Sequence, residues 1–167
     1  LFYAIAWIGA ITAFVAGSQA MTSTELKKVL AYSTVSQLGY MMLALGVAGT
    51  TPNVMVMLIA YTGAIFHLLS HALFKASLFL AAGAVIHACE SRFMYHMGGI
   101  KEDMPKTFRI MTLAAFSLMG VPLLFSGFWS KDMILEGALI TGQYWLFILG
   151  LITAAITCFY SVRMLGL

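Results

Sequence analysis

Five stretches of mostly apolar residues follow one another along this 167-residue chain, at roughly 1–20, 29–48, 55–87, 108–138 and 143–164. A helix needs about 20 such residues to cross the ~30 Å hydrocarbon core of a bilayer, so each stretch predicts a membrane-crossing helix. The connectors are polar: MTSTELKK at 21–28, the short GTTPNV at 49–54, CESRFMYHMGGIKEDMPKT at 89–107 and ITGQ at 140–143. The expected fold is therefore all-α, a polytopic transmembrane bundle of five helices forming one domain over 1–167.

The fourth stretch departs from a plain helix. Its centre reads MGVPLLFSGFWSKD, where Pro122 removes a helix hydrogen bond and clashes with the preceding turn, and Gly120 and Gly127 relax the backbone nearby. A break near 120–127 is expected. Non-helical backbone at membrane depth survives only where protein or a water-filled cavity satisfies it, and such breaks recur at transport sites. Lys131 and Asp132 follow directly, with Glu136 one turn beyond. A proline kink beside an interfacial charge cluster is the plainer alternative.

Composition removes the soluble classes. Hydrophobic residues make up 62% of the chain and charged residues 9%, with mean hydropathy +0.96, against about 25% charged in ordinary soluble domains. A net charge of +3 is too small to suggest nucleic-acid binding. The opening LFYAIAWIGA has no initiator Met or basic leader, and SVRMLGL closes directly after a hydrophobic stretch. That pattern is expected of a piece of a longer polypeptide. Cys89 and Cys158 have no C-x-x-C spacing and are expected to be packing residues.

Charge placement supports five crossings. If the helices alternate in direction, the first and third connectors and the C-terminus share one side, called side A. Of the nine Lys and Arg, those found there are Lys27, Lys28, Arg92, Lys101, Lys106, Arg109 and Arg163, while Lys75 and Lys131 fall inside spans. By the positive-inside rule, side A is the cytoplasmic or matrix-like face.

The chemistry concentrates in the third stretch, in IFHLLSHALFKASLFL at 65–80. His67, His71 and Lys75 recur every four residues, which places them on one helical face, about 6 Å apart along the axis. An ionisable group in hydrocarbon costs ~2.5–3.5 kcal/mol even on lenient scales, so each must face protein or water. A lone His could instead bond a carbonyl, and a Lys near an end could snorkel, but Lys75 lies far from either end. In the second stretch, Tyr32, Ser33, Thr34, Ser36, Gln37 and Tyr40 supply either a hydrated lining or interhelical hydrogen bonds. The first stretch, with Gly9, Ala10, Gly17 and Ser18, suits close helix packing, and the fifth, uncharged until Arg163, reads as a scaffold.

A buried lysine is a tunable proton carrier. Desolvation disfavours its ammonium form and a carboxylate or water chain restores it, so its protonation follows its surroundings. The expected path runs from side A through Lys75, His71 and His67 to Lys131 as the exit toward the opposite side, with Ser36, Gln37, Asp132 and Glu136 in support. No dinucleotide fingerprint, P-loop or Cys cluster is present to drive it, so energy must come from a partner. An intramembrane metalloenzyme is a weaker reading, because H-L-L-S-H lacks the Glu of H-E-x-x-H. A structural anchor that moves no ions is a third.

Four segments, ELKKVLAYSTVSQLGYMMLALGVAG (25–49), HLLSHALFKASLFLAAGAVIHA (67–88), MGGIKEDMP (97–105) and GVPLLFSGFWSKD (120–132), resemble the antiporter-like proton-translocating subunits of respiratory complex I. They occur in the family's order and spacing. Within the family, Lys at 131 and the SKD context favour the largest, distal type, which is similar to a subunit of multi-subunit Na+/H+ antiporters. The resemblance implies a core of two inverted five-helix repeats, each with a broken helix, of which this chain is the second. It implies that His67, His71 and Lys75 form a central relay and that Lys131 is the ionisable residue of the broken helix. It further implies a location in a prokaryotic cell membrane or an equivalent organelle membrane, beside other membrane subunits. NADH (or a related donor), FMN, iron–sulfur clusters and quinone would act in those partners, with no cofactor in this chain. The first repeat and the family's long lateral helix are absent, so the fragment alone should not translocate protons. Membrane-bound hydrogenases and Na+/H+ antiporters carry related motifs and remain alternatives.

Overall fold

The computed structural model describes residues 1–166. Its helices are α1 (Phe2–Thr22), α2 (Leu26–Thr50), α3 (Val54–Cys89), α4 (Ile100–Asp103), α5 (Pro105–Met119), α6 (Ser126–Ile140) and α7 (Tyr144–Leu165). Four of them, α1, α2, α3 and α7, are long and apolar enough to cross a membrane. The remaining crossing is divided between α5 and α6, each of 15 residues and so about 22 Å long. Neither alone spans the hydrocarbon.

Side A is closed by a polar clasp. The backbone N–H groups of Leu26 and Met94 donate to the carbonyls of Arg92 and Thr24, and an isolated bridge pairs Glu25 with Phe93. Arg163, in the last turn of α7, donates to the carbonyls of Met21 and Ser23. A cation there satisfies carbonyls that the C-terminus of α1 leaves unpaired. The connector expected as a plain polar loop thus contains a 3-10 turn at Met94–His96 and the short α4, whose Met94, Met97 and Ile100 plug the bundle.

The α1–α2 pair is held by small residues. Ala6, Gly9, Ala10, Ala13, Ala16, Gly17 and Ala20 form the buried face of α1, and Gly39 and Gly46 oppose it from α2. A Cβ on Gly39 would lie 2.7 Å from the Gly9 carbonyl oxygen and 2.8 Å from the Ala13 Cα. Backbone, not a flexible side chain, blocks it. Gly39→Val is therefore expected to destabilise the chain by about 3 kcal/mol, the upper end of ordinary overpacking. Thermal unfolding of the detergent-solubilised protein would read this as a lowered midpoint, and an unchanged midpoint would refute so close an approach.

The break itself has a defined geometry. Gly120 ends α5 in the left-handed region at φ 79°, and its N–H donates to the carbonyls of Phe116 and Ser117, while Val121 N–H also reaches Phe116. These bonds satisfy the last carbonyls of α5. Leu123 takes φ 69°, uncommon for a bulky residue. Gly120 and Gly127 then do different work. Gly120 supplies the left-handed turn; Gly127 lies inside α6 and supplies room, because a Cβ on it would collide with the Ser117 carbonyl oxygen.

Candidate functional site

α3 is the central element, packed against α2, α5 and α6. Its 36 residues give about 54 Å of helix, so its last turns extend beyond a bilayer core. His67, His71 and Lys75 all face inward and are buried, Lys75 at 5% exposure. Lys131, on α6, is buried to the same degree.

Each lysine is held by oxygens of another helix. The Lys75 amine donates to the Leu30 carbonyl at 3.1 Å and to the Ser33 hydroxyl. The Lys131 amine donates to the Leu118 carbonyl at 2.6 Å and lies 5.9 Å from the centre of the Tyr40 ring. Lys131 is about 14 Å of helix rise from the end of α6, and its amine turns back to the break in the fourth crossing. Neither lysine makes an ion pair: the one salt bridge among the described residues joins Lys28 and Glu25 at side A.

His67 connects the two halves of the seam. Its Nδ1 lies 2.8 Å from the Ser130 hydroxyl and its Nε2 3.0 Å from Gln37 Oε1. An amide oxygen only accepts, so the network assigns Nε2–H as donor and, in the neutral ring, Nδ1 as acceptor from Ser130. The His67 and His71 rings are 6.3 Å apart, and Phe74 stands edge-on to His71. With both nitrogens of His67 engaged, the pair is not arranged as a metal site.

The remaining candidates separate. Gln37 joins the seam through His67, whereas Ser36 donates to the Ala13 carbonyl at 2.8 Å and so serves the α1–α2 contact. Asp132 and Glu136 are exposed on the outer face of α6, and Pro122 is exposed at the break. Sequence reasoning missed Ser130 and the inner face of α7. There Thr153, Thr157, Tyr160 and Ser161 are buried, so the expected scaffold helix carries a polar lane. Their four-residue spacing (153, 157, 161) is the signal that could have found it. Tyr40 bridges to this helix by donating to the Gly150 carbonyl at 2.5 Å.

Membrane-length helices around a broken one, with two lysines buried in a shared polar seam, define a membrane protein of the antiporter-like class. The chain belongs to the NADH:quinone oxidoreductase/Mrp antiporter transmembrane family, whose model matches residues 1–157. It is 43% identical to NADH-quinone oxidoreductase subunit L of Escherichia coli (strain K12) over 159 residues, 95% of this chain and 24% of that protein. It is 43% identical to NADH-ubiquinone oxidoreductase chain 5 of Cryptococcus neoformans over 170 residues, 98% of this chain and 23% of that one. The chain thus spans about a quarter of the length of these curated relatives. Among solved structures, the Mrp complex from Dietzia sp. DQ12-45-1b superposes with TM-score 0.82 at 36% identity, over 96% of this chain and 17% of that one. The membrane-bound sulfane sulfur reductase, an archaeal respiratory membrane complex, gives 0.85 at 27%, over 99% and 32%.

Proposed function

We propose that this chain is the part of a proton-translocating subunit of NADH:quinone oxidoreductase that carries its central relay. The observation behind this is the pair of lysines, Lys75 and Lys131, buried in one seam and held by carbonyl and hydroxyl oxygens with no carboxylate at either amine. Such an amine exchanges its proton when its neighbours change, and its carbonyl partners hold it in place meanwhile. A proton entering from side A would pass Lys75 and His71, cross at His67 and Ser130, and reach Lys131 beside the break. Moving one charge against the membrane potential costs ~2.3 kcal/mol per 100 mV. That energy would come from electron transfer through NADH, FMN, iron–sulfur clusters and quinone in partner subunits, with neighbouring antiporter-like subunits sharing the membrane.

The resemblance to a subunit of multi-subunit Na+/H+ antiporters raises sodium as the transported ion. The chemistry of the seam favours the proton: Na+ calls for hard oxygen ligands, and an ammonium group at each of two stations repels it. Asp132 and Glu136, which could have served, face outward. A purely structural anchor predicts that both lysines tolerate replacement. Pumping by the full-length complex in proteoliposomes, with Lys75→Met and Lys131→Met, discriminates between the two; unchanged pumping in both variants overturns the proposal.

A further inference from the structure

Side A carries a second polar feature, away from the seam. The start of α2, the last turns of α3 and the connector after it enclose a groove of about 420 Å³, lined by Lys27, Gly83, Ile86, His87, Glu90 and Arg92. The clasp builds it. The Arg92 carbonyl accepts from the Leu26 N–H, and the bridge between Glu25 and Phe93 holds the two connectors side by side. Lys27 and Arg92, distant in sequence, are thereby brought to one place. Neither forms a salt bridge: the one among the described residues joins Lys28 and Glu25.

The groove is polar at its mouth and apolar below. Lys27 lies in the first turn of α2 and His87 in the last turn of α3, the level at which these helices leave the hydrocarbon. Further down, a Cβ on Gly83 would meet nothing within 4 Å, so the groove stays open there. One turn deeper, Phe79 and Leu80 continue the same face of α3 as exposed apolar surface. Cations above an open apolar channel match an amphiphile with a phosphate over an acyl chain, and basic pockets between helix ends bind anionic lipid headgroups. Glu90 refines the match. Its carboxylate repels a free phosphate dianion and accepts from a headgroup that carries hydroxyls. Cations that merely snorkel to the surface need neither a shared groove nor the gap at Gly83.

We infer that this groove binds the headgroup of an anionic glycerophospholipid of the phosphatidylglycerol type. Lys27 and Arg92 hold the phosphate, Glu90 accepts from the headgroup glycerol, and one acyl chain descends past Gly83 along Phe79 and Leu80. The bound lipid ties the start of α2 to the end of α3 beside the clasp. His87 lies about 18 Å of helix rise beyond Lys75, so the site is separate from the relay and does not depend on it.

The test reconstitutes the full-length complex in phosphatidylcholine vesicles containing photoactivatable phosphatidylglycerol and reads the labelled peptides by mass spectrometry. Saturable labelling around Gly83 is expected, displaced by unlabelled phosphatidylglycerol but not by added phosphatidylcholine or inorganic phosphate. Lys27→Gln with Arg92→Gln should raise the phosphatidylglycerol needed for displacement about 30-fold, roughly fivefold for each cation lost near the membrane surface. Lys101→Gln with Lys106→Gln removes the same charge from exposed positions outside the groove and should change nothing. Gly83→Leu keeps every charge, installs a better helix former and fills the channel, so labelling should be lost. An equal fall in the Lys101 and Lys106 variant would mean general attraction to anionic lipid and overturns the site, as does labelling that survives Gly83→Leu. Displacement by inorganic phosphate makes the groove a phosphate site instead, and an unlabelled wild type means that a partner subunit covers it; both overturn the lipid assignment. Should the Lys27 and Arg92 variant not assemble, Gly83→Leu decides alone. Pumping is not the readout, so the relay stands or falls separately.

Discussion

Methionine in place of Lys131, or of Lys75, is expected to abolish proton pumping by the full-length complex. Methionine is similar in length, flexible and apolar, so it fills the same volume and leaves the packing largely intact. What it removes is the exchangeable proton. At position 131 it also leaves the Leu118 carbonyl without its 2.6 Å donor, and an unpaired buried acceptor costs about 1–3 kcal/mol. Lys131→Gln separates the two losses, because its amide can donate to Leu118 but cannot give up a proton. Both variants are expected to pump roughly 100-fold more slowly or worse, with thermal stability recovered in the glutamine variant. Wild-type pumping by Lys131→Gln would reduce this lysine to a strut across the break.

Gly127→Ala should be the most damaging single methyl in the chain. The added Cβ would fall on the Ser117 carbonyl oxygen, a backbone atom near the end of α5 that has nowhere to retreat. To admit it, α5 and α6 must part, and the Lys131–Leu118 bond spans that same junction. Loss of pumping and a markedly lower thermal midpoint are expected together. Gly120→Ala is the comparison: it meets its nearest neighbour, the Gly127 carbonyl oxygen, at 3.3 Å and mainly suffers the left-handed backbone at φ 79°, about 1–2 kcal/mol. If Gly127→Ala were as stable as the wild type, the two half-helices could not be in the contact described.

The broken crossing shows how far local sequence reaches. Pro122 and two glycines within a hydrophobic stretch announce a break, because a missing N–H and a missing Cβ act on their own turn of backbone. They do not say that Gly127 matters for space and Gly120 for handedness, since that difference lies in what the other half-helix places opposite. Ser36 and Gln37 make the same point more sharply. They are neighbours with similar polarity, yet about 100° of helical rotation sends one to the Ala13 carbonyl and the other to His67. Lys131 and Asp132 divide likewise, one buried and one exposed.

By itself the sequence determined the long apolar helices, the break and the shared face of His67, His71 and Lys75. All of these follow from hydrophobic length, helical period and backbone chemistry within a few turns of chain. Only the tertiary structure decided the partners: Ser33 for Lys75, Leu118 for Lys131, Ser130 and Gln37 for His67, and the polar lane of α7 facing them. Those pairings join residues distant in sequence through helices that approach closely because glycine and alanine line their contacts. A hydroxyl on an apolar helix carries no local mark of the neighbour it will meet.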